Sequence, residues 1–129
     1  MESVGPEEFR GGRLERPGRI VVCAAARWCP FCRAFRPRFE AREGTQPFAL
    51  GWADLSEMEN PLWELWRIEV VPTLLAFDDG RPVGRIDGRP LAGLDEDDLD
   101  RMPALFGREA PGPGPPTARG STGRPRRWA

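Results

Sequence analysis

The sequence contains no histidine, no lysine and no tyrosine. Without His, neither a Ser-His nor a Cys-His catalytic pair can be built; without Lys there is no Schiff-base amine and no phosphate-loop lysine. All 19 basic residues are Arg. Long apolar runs are missing too, since no stretch approaches the roughly 20 apolar residues that a membrane span needs. Met1 to Glu8 carry neither a basic head nor an apolar signal core, so the expected location is the cytoplasm, with no membrane contact. Three Cys, a set of carboxylates and backbone dipoles are the groups left to do chemistry. With 129 residues, 40% of them hydrophobic and 30% charged, the chain suits one soluble domain with its own core.

Composition changes near Gly107. From Arg108 to Ala129 the chain holds five Pro, four Gly and five Arg against the single acid Glu109, with no apolar periodicity. We expect residues 108–129 to be a disordered basic tail and residues 1–107 to form the domain. The tail is too poor in aromatics to read as a nucleic-acid module, so no nucleic-acid partner is expected.

The rest reads as alternating helices and strands. Pro6-Glu7-Glu8-Phe9 opens a short helix that Gly11-Gly12 weakens. Ile20 to Ala25 is a continuous apolar run after Pro17-Gly18, suited to a strand buried on both faces. Over 30–43, Phe31, Ala34, Phe35 and Phe39 recur at helical intervals, and Pro37 should kink that helix. Phe48 to Leu55 reads as a strand, and Asn60-Pro61 opens a helix carrying Leu62, Trp63, Leu65 and Trp66. Thr73–Phe77 and Pro82–Asp87 form a hairpin around Asp78-Asp79-Gly80-Arg81. Asp95 caps a last helix that Pro103 interrupts near its final turn. The order implies an α/β fold, a mixed central sheet with helices on both faces.

Cys23, Cys29 and Cys32 lie within ten residues, an odd count that does not suggest a structural disulfide framework. Cys29 and Cys32 form a Cys-x-x-Cys pair directly after the buried strand, where a helix begins. Unpaired N–H groups and the positive end of the helix dipole favour a thiolate at Cys29. Cys32, one turn further on, is within reach of it. Cys29 can therefore attack a substrate disulfide and Cys32 resolve the mixed disulfide, leaving the protein oxidised. Pro30 costs nothing at the first helical position, whose N–H has no partner anyway. The competing readings are two small buried hydrophobes or half of a zinc site; with no His and only Cys23 as a third ligand, no metal is expected.

Trp28-Cys29-Pro30-Phe31-Cys32 resembles the active-site segment of the thioredoxin family, and the likeness runs through about residues 4–107. Pro37 falls where that family has a kink-forming proline, Val70-Val71-Pro72-Thr73 resembles its cis-proline loop, and Gly80 and Gly88 follow Pro72 at its usual intervals. The resemblance implies a thioredoxin fold and a monomeric thiol-disulfide oxidoreductase serving cell redox homeostasis and electron transport. It implies protein disulfides as substrates, a recycling reductase as electron donor, and no cofactor beyond the Cys29–Cys32 disulfide. Cys29 is then the nucleophile and Cys32 the resolving thiol. Trp28, Pro30, Phe31, Val71 and Pro72 border the substrate, with Pro72 cis and Trp28 shielding the disulfide.

Two departures from the family matter. Pro30-Phe31 replaces the usual Gly-Pro between the cysteines, and because this dipeptide tunes thiol pKa and potential, reductant, isomerase and oxidant all stay open. A redox-switch module acting on a partner without turnover is the alternative from another class. Cys23 stands where thioredoxins have a buried aspartate; a buried thiol is a poor general base, so resolution would use water or an acid such as Asp54 or Glu40. Cys23 itself is then either a small core hydrophobe or a third redox thiol.

Overall fold

Seven residues with little but apolar side chains, Arg19 to Ala25, form the strand on which the molecule is organised; Ile20 to Ala25 are all buried. A strand buried on both faces needs paired neighbours on both edges, because unpaired backbone amides in a core cost about 1–3 kcal/mol each. The computed structural model, which describes residues 1–109, supplies them. We label the strands β1 (Glu2–Ser3), β2 (Phe9–Arg10), β3 (Arg13–Leu14), β4 (Arg19–Ala25), β5 (Ala49–Asp54), β6 (Thr73–Asp78) and β7 (Arg81–Ile86). The helices are α1 (Pro30–Glu40), α2 (Leu62–Leu65) and α3 (Glu96–Asp100). One sheet runs in the order β1-β5-β4-β6-β7, parallel at β1–β5 and β5–β4 and antiparallel from β4 to β7; β2 and β3 pair separately. The mixed α/β sheet is as expected from the order of elements. Cys23 lies opposite Trp52 on one side and Leu74 on the other.

α1 forms because Pro30 at its start pre-sets φ and needs no partner, while Cys32, Phe35 and Phe39 recur on one buried face. Burying each Phe contributes roughly 1.5–3 kcal/mol. Phe39 packs on Phe35 and on Trp52 of β5, with ring centroids 6.0 and 6.1 Å apart. That contact holds the last turn of α1 against β5. Pro37 sits inside α1 without ending it.

Several local expectations need correction. The helix at Pro6 is a single 3-10 turn over Pro6–Glu8; Gly11 and Gly12, both at positive φ, then turn the chain into the β2–β3 hairpin. Glu2–Ser3, whose two side chains carry no strand signal, nonetheless form the edge strand β1. The helix at Pro61 is one turn long, and α3 ends at Asp100, ahead of Pro103. A 3-10 segment, Met102–Glu109, follows and buries Met102 and Phe106, the latter 5.1 Å from the Phe48 ring. Of the expected basic tail, residues 110–129 lie outside the described residues.

Candidate active site

β4 delivers the chain to the site through Ala26, whose carbonyl accepts from Cys29 N–H at 3.2 Å. Cys29 is extended and caps α1 through its own carbonyl, which accepts from both Cys32 N–H and Arg33 N–H at 3.1 Å. Its side chain makes no capping bond, and the first turn contains no acid. The helix end thus keeps its positive character at the Cys29 sulfur. All three cysteines are reduced and buried; Cys29, at 7% exposure, is the most accessible.

Both members of the pair are held by backbone. Cys29 Sγ–H donates to Val71 O at 3.6 Å, and Cys32 Sγ accepts from Ala26 N–H at 3.4 Å. The two thiols are near enough for Cys29 to bear on the ionisation of Cys32. Burial pushes the Cys32 thiol up to about 12; the Ala26 N–H opposes this, contact with Cys29 adds to it, and Arg33 opposes it. Cys32 is therefore protonated at neutral pH until its surroundings change.

The Val71–Pro72 bond is cis, which turns Val71 O toward Cys29. Thr73 Oγ donates to Val70 O at 2.7 Å and accepts from Gly88 N–H at 3.2 Å, tying the loop to the end of β7. Gly88 is required for this approach, since a Cβ there would stand 2.2 Å from Pro72 O. Gly93, at φ +72°, would place a Cβ 2.9 Å from Phe31 Cβ and 3.6 Å from Pro72 Cδ. Gly93 thus lets the 89–93 turn pack against Phe31 and Pro72. Sequence reading overlooked it; its only signal was a Gly in the turn-like run Pro90-Leu91-Ala92-Gly93.

Trp28 is 53% exposed, its Nε1–H bonded to Ser56 O at 2.9 Å and its ring stacked on Trp63 at 6.3 Å. It is a surface aromatic beside Cys29, not a core one. Pro30 is exposed and Phe31 partly buried, and of the five residues expected to border the substrate, Val71 contacts Cys29 directly through its carbonyl.

Cys23 is fully buried; burial pushes its thiol well up, Cys32 adds to that, and Arg36 opposes it. The two acids offered as proton acceptors are occupied. Asp54 takes Arg27 Nη1 at 2.5 Å and hydrogen bonds from Ser56. Partial burial raises its carboxyl, but Ser56 and Arg27 more than offset this and hold it below its ordinary range. Glu40 pairs with Arg36 at 2.9 Å on the exposed side of α1. Among the described residues, no group of three His, Cys, Asp or Glu side chains could hold a metal ion.

A family model described as Thioredoxin matches residues 2–98. The chain is 26% identical over 102 residues to Thioredoxin H2-2 of Oryza sativa subsp. japonica, covering 78% of this chain and 72% of the relative. It is 32% identical over 85 residues to Protein disulfide-isomerase A3 of Gallus gallus, covering 63% of this chain but 16% of that longer protein. Among solved structures, the short form of thioredoxin f from spinach chloroplast superposes with a TM-score of 0.63 at 22% identity, covering 81% of this chain and 91% of that one.

Proposed function

The chain belongs to the thioredoxin family, a family of thiol-disulfide oxidoreductases, and from that premise we propose that it reduces protein disulfides through Cys29 and Cys32. The observation that carries the reading is the asymmetry of the pair. Cys29 stands at a helix start without a side-chain cap and is the more exposed of the two, whereas Cys32 is 1% exposed and protonated. In the reaction the Cys29 thiolate attacks one sulfur of the substrate disulfide, forming a mixed disulfide and releasing the other sulfur as a thiol. Cys32 then loses its proton and attacks Cys29 Sγ. The second substrate thiol leaves, and two electrons have passed from the protein to the substrate. Trp28, Pro30, Phe31, Val71 and Pro72 form the surface that receives the substrate, with Val71 O positioned to bond its backbone. A reductase returns the electrons, and the protein works as a cytoplasmic monomer without a further cofactor.

The test is reduction of insulin with a thiol donor, together with a Cys32→Ser variant. Many turnovers per protein, and mixed disulfides trapped on Cys29 in the variant, are expected. Stoichiometric oxidation without turnover would replace this reading with that of a redox switch. Faster alkylation of Cys32 than of Cys29 in the reduced protein would reverse the two roles.

A further inference from the structure

A cleft of about 250 Å³ opens beside Cys32, lined by Ala26, Arg27, Cys32, Arg33, Arg36 and Trp52. Three of its six lining residues are guanidinium groups, and no carboxylate lines it. Arg27 is already neutralised by Asp54. Arg33 is not: among the described residues its guanidinium bonds only Arg27 O, at 2.9 Å, and forms no ion pair. Arg36 meets Glu40 through Nε, and its guanidinium lies 4.5 Å over the Trp52 ring. The ring holds the cation in place, and the Nη groups remain available as donors. An exposed guanidinium without an anion, next to a second one fixed on an aromatic face, makes a two-pronged receptor for a planar carboxylate.

We propose that this cleft is a carboxylate-recognition site and that the protein favours disulfides with an acidic residue close to the attacked cysteine. The inference rests on Cys29 and Cys32 being the exchange pair. The geometry permits both contacts at once, because Cys32, which lines the cleft, is one helical turn from Cys29 and its N–H donates to Cys29 O, so a chain bonded to Cys29 has the cleft within a few residues' reach. Attraction between the substrate acid and Arg33 raises the rate of productive encounter, and a charge-assisted hydrogen bond holds the complex for attack by Cys29. No redox co-reactant beyond the exchange itself is needed.

The test uses a series of disulfide-bonded peptides that carry one Glu at successive positions on either side of the cysteine, each matched by its Gln counterpart. At the preferred position, kcat/KM is expected to be roughly fivefold to tenfold higher for Glu, the range for one partly exposed charge-assisted bond. Added salt should narrow that ratio. Free acetate should slow the Glu peptide and not the Gln peptide. In the double variant Arg33→Gln/Arg36→Gln, both substitutions being on exposed positions, the ratio should fall to near one. Equal rates for Glu and Gln peptides at every position would overturn the site while leaving the exchange reading intact. So would a Glu preference that survives in the double variant. Failure of every peptide to be reduced would overturn the exchange reading together with the inference.

Discussion

Two helix starts in this molecule use the same backbone feature to opposite ends. α1 begins at Cys29 with no side-chain cap and no acid in its first turn. α3 begins at Asp95 with a reciprocal box: Asp95 Oδ1 accepts from Asp98 N–H at 3.2 Å, and Asp98 Oδ2 accepts from Asp95 N–H at 2.8 Å. Asp98, 1% exposed, also takes Arg89 Nη2 at 2.7 Å and Arg101 Nη2 at 2.5 Å. At α3 the positive end is spent on the protein's own carboxylates and yields stability. At α1 no carboxylate takes it, and the residue at the cap position is Cys29, whose sulfur carries the charge in the proposed exchange.

Cys29→Ser should break the α1 side entirely: disulfide reduction is expected to vanish while the thermal midpoint stays within a few degrees, read by an insulin assay and by circular dichroism.

Asp98→Ala should do the converse. Removing a buried carboxylate that accepts from Arg89, Asp95 N–H and Arg101 is expected to cost about 2–4 kcal/mol in urea unfolding, with catalytic turnover retained. Unchanged stability would show that the box contributes nothing.

The two ends should also separate by pH. Burial raises the Asp98 carboxyl, but Arg89, Asp95 and Arg101 together bring it down to about 2, below its value in the unfolded chain. The unfolded state therefore binds the proton more tightly, so this contribution is complete above about pH 4 and is lost as pH falls toward 2. Cys32 is raised to about 12 from an ordinary 9.0, so its contribution is complete below about pH 9 and is lost as pH rises toward 12. Unfolding curves of Asp98→Asn should be flatter on the acid side only, and those of Cys32→Ser on the alkaline side only.

Cys23→Ala should have a smaller effect, about 1 kcal/mol of stability and less than about twofold in turnover, if Cys23 is a core filler. A loss of turnover equal to that of Cys32→Ser would instead put Cys23 in the electron path. The smallest effect is expected from deleting residues 110–129, which carry no core-forming periodicity; activity and midpoint should both be unchanged within error.

The placement of the cysteine pair at the start of α1 was legible because it is local. A buried strand followed by Cys-x-x-Cys and a helical period fixes where the sulfurs stand relative to the helix end, and four residues suffice to bring them together. The box at α3 was only half legible: Asp95 reads as a cap, but nothing in Asp97-Asp98 says which of the two turns inward to meet Arg89 and Arg101.

The sequence by itself determined the alternation of elements from β4 onward, the thiol pair and its place at a helix start, since period, turn residues and helix capping act over a few positions. The tertiary structure alone decided what surrounds the pair. Val71 O reaches Cys29 across 42 residues, and the turn at Gly93 closes on Phe31 across about 60. Arg36 settles on Trp52, an approach set by how α1 packs on β5. Such long-range contacts follow from strand order and side-chain packing, which leave no periodic trace in the chain.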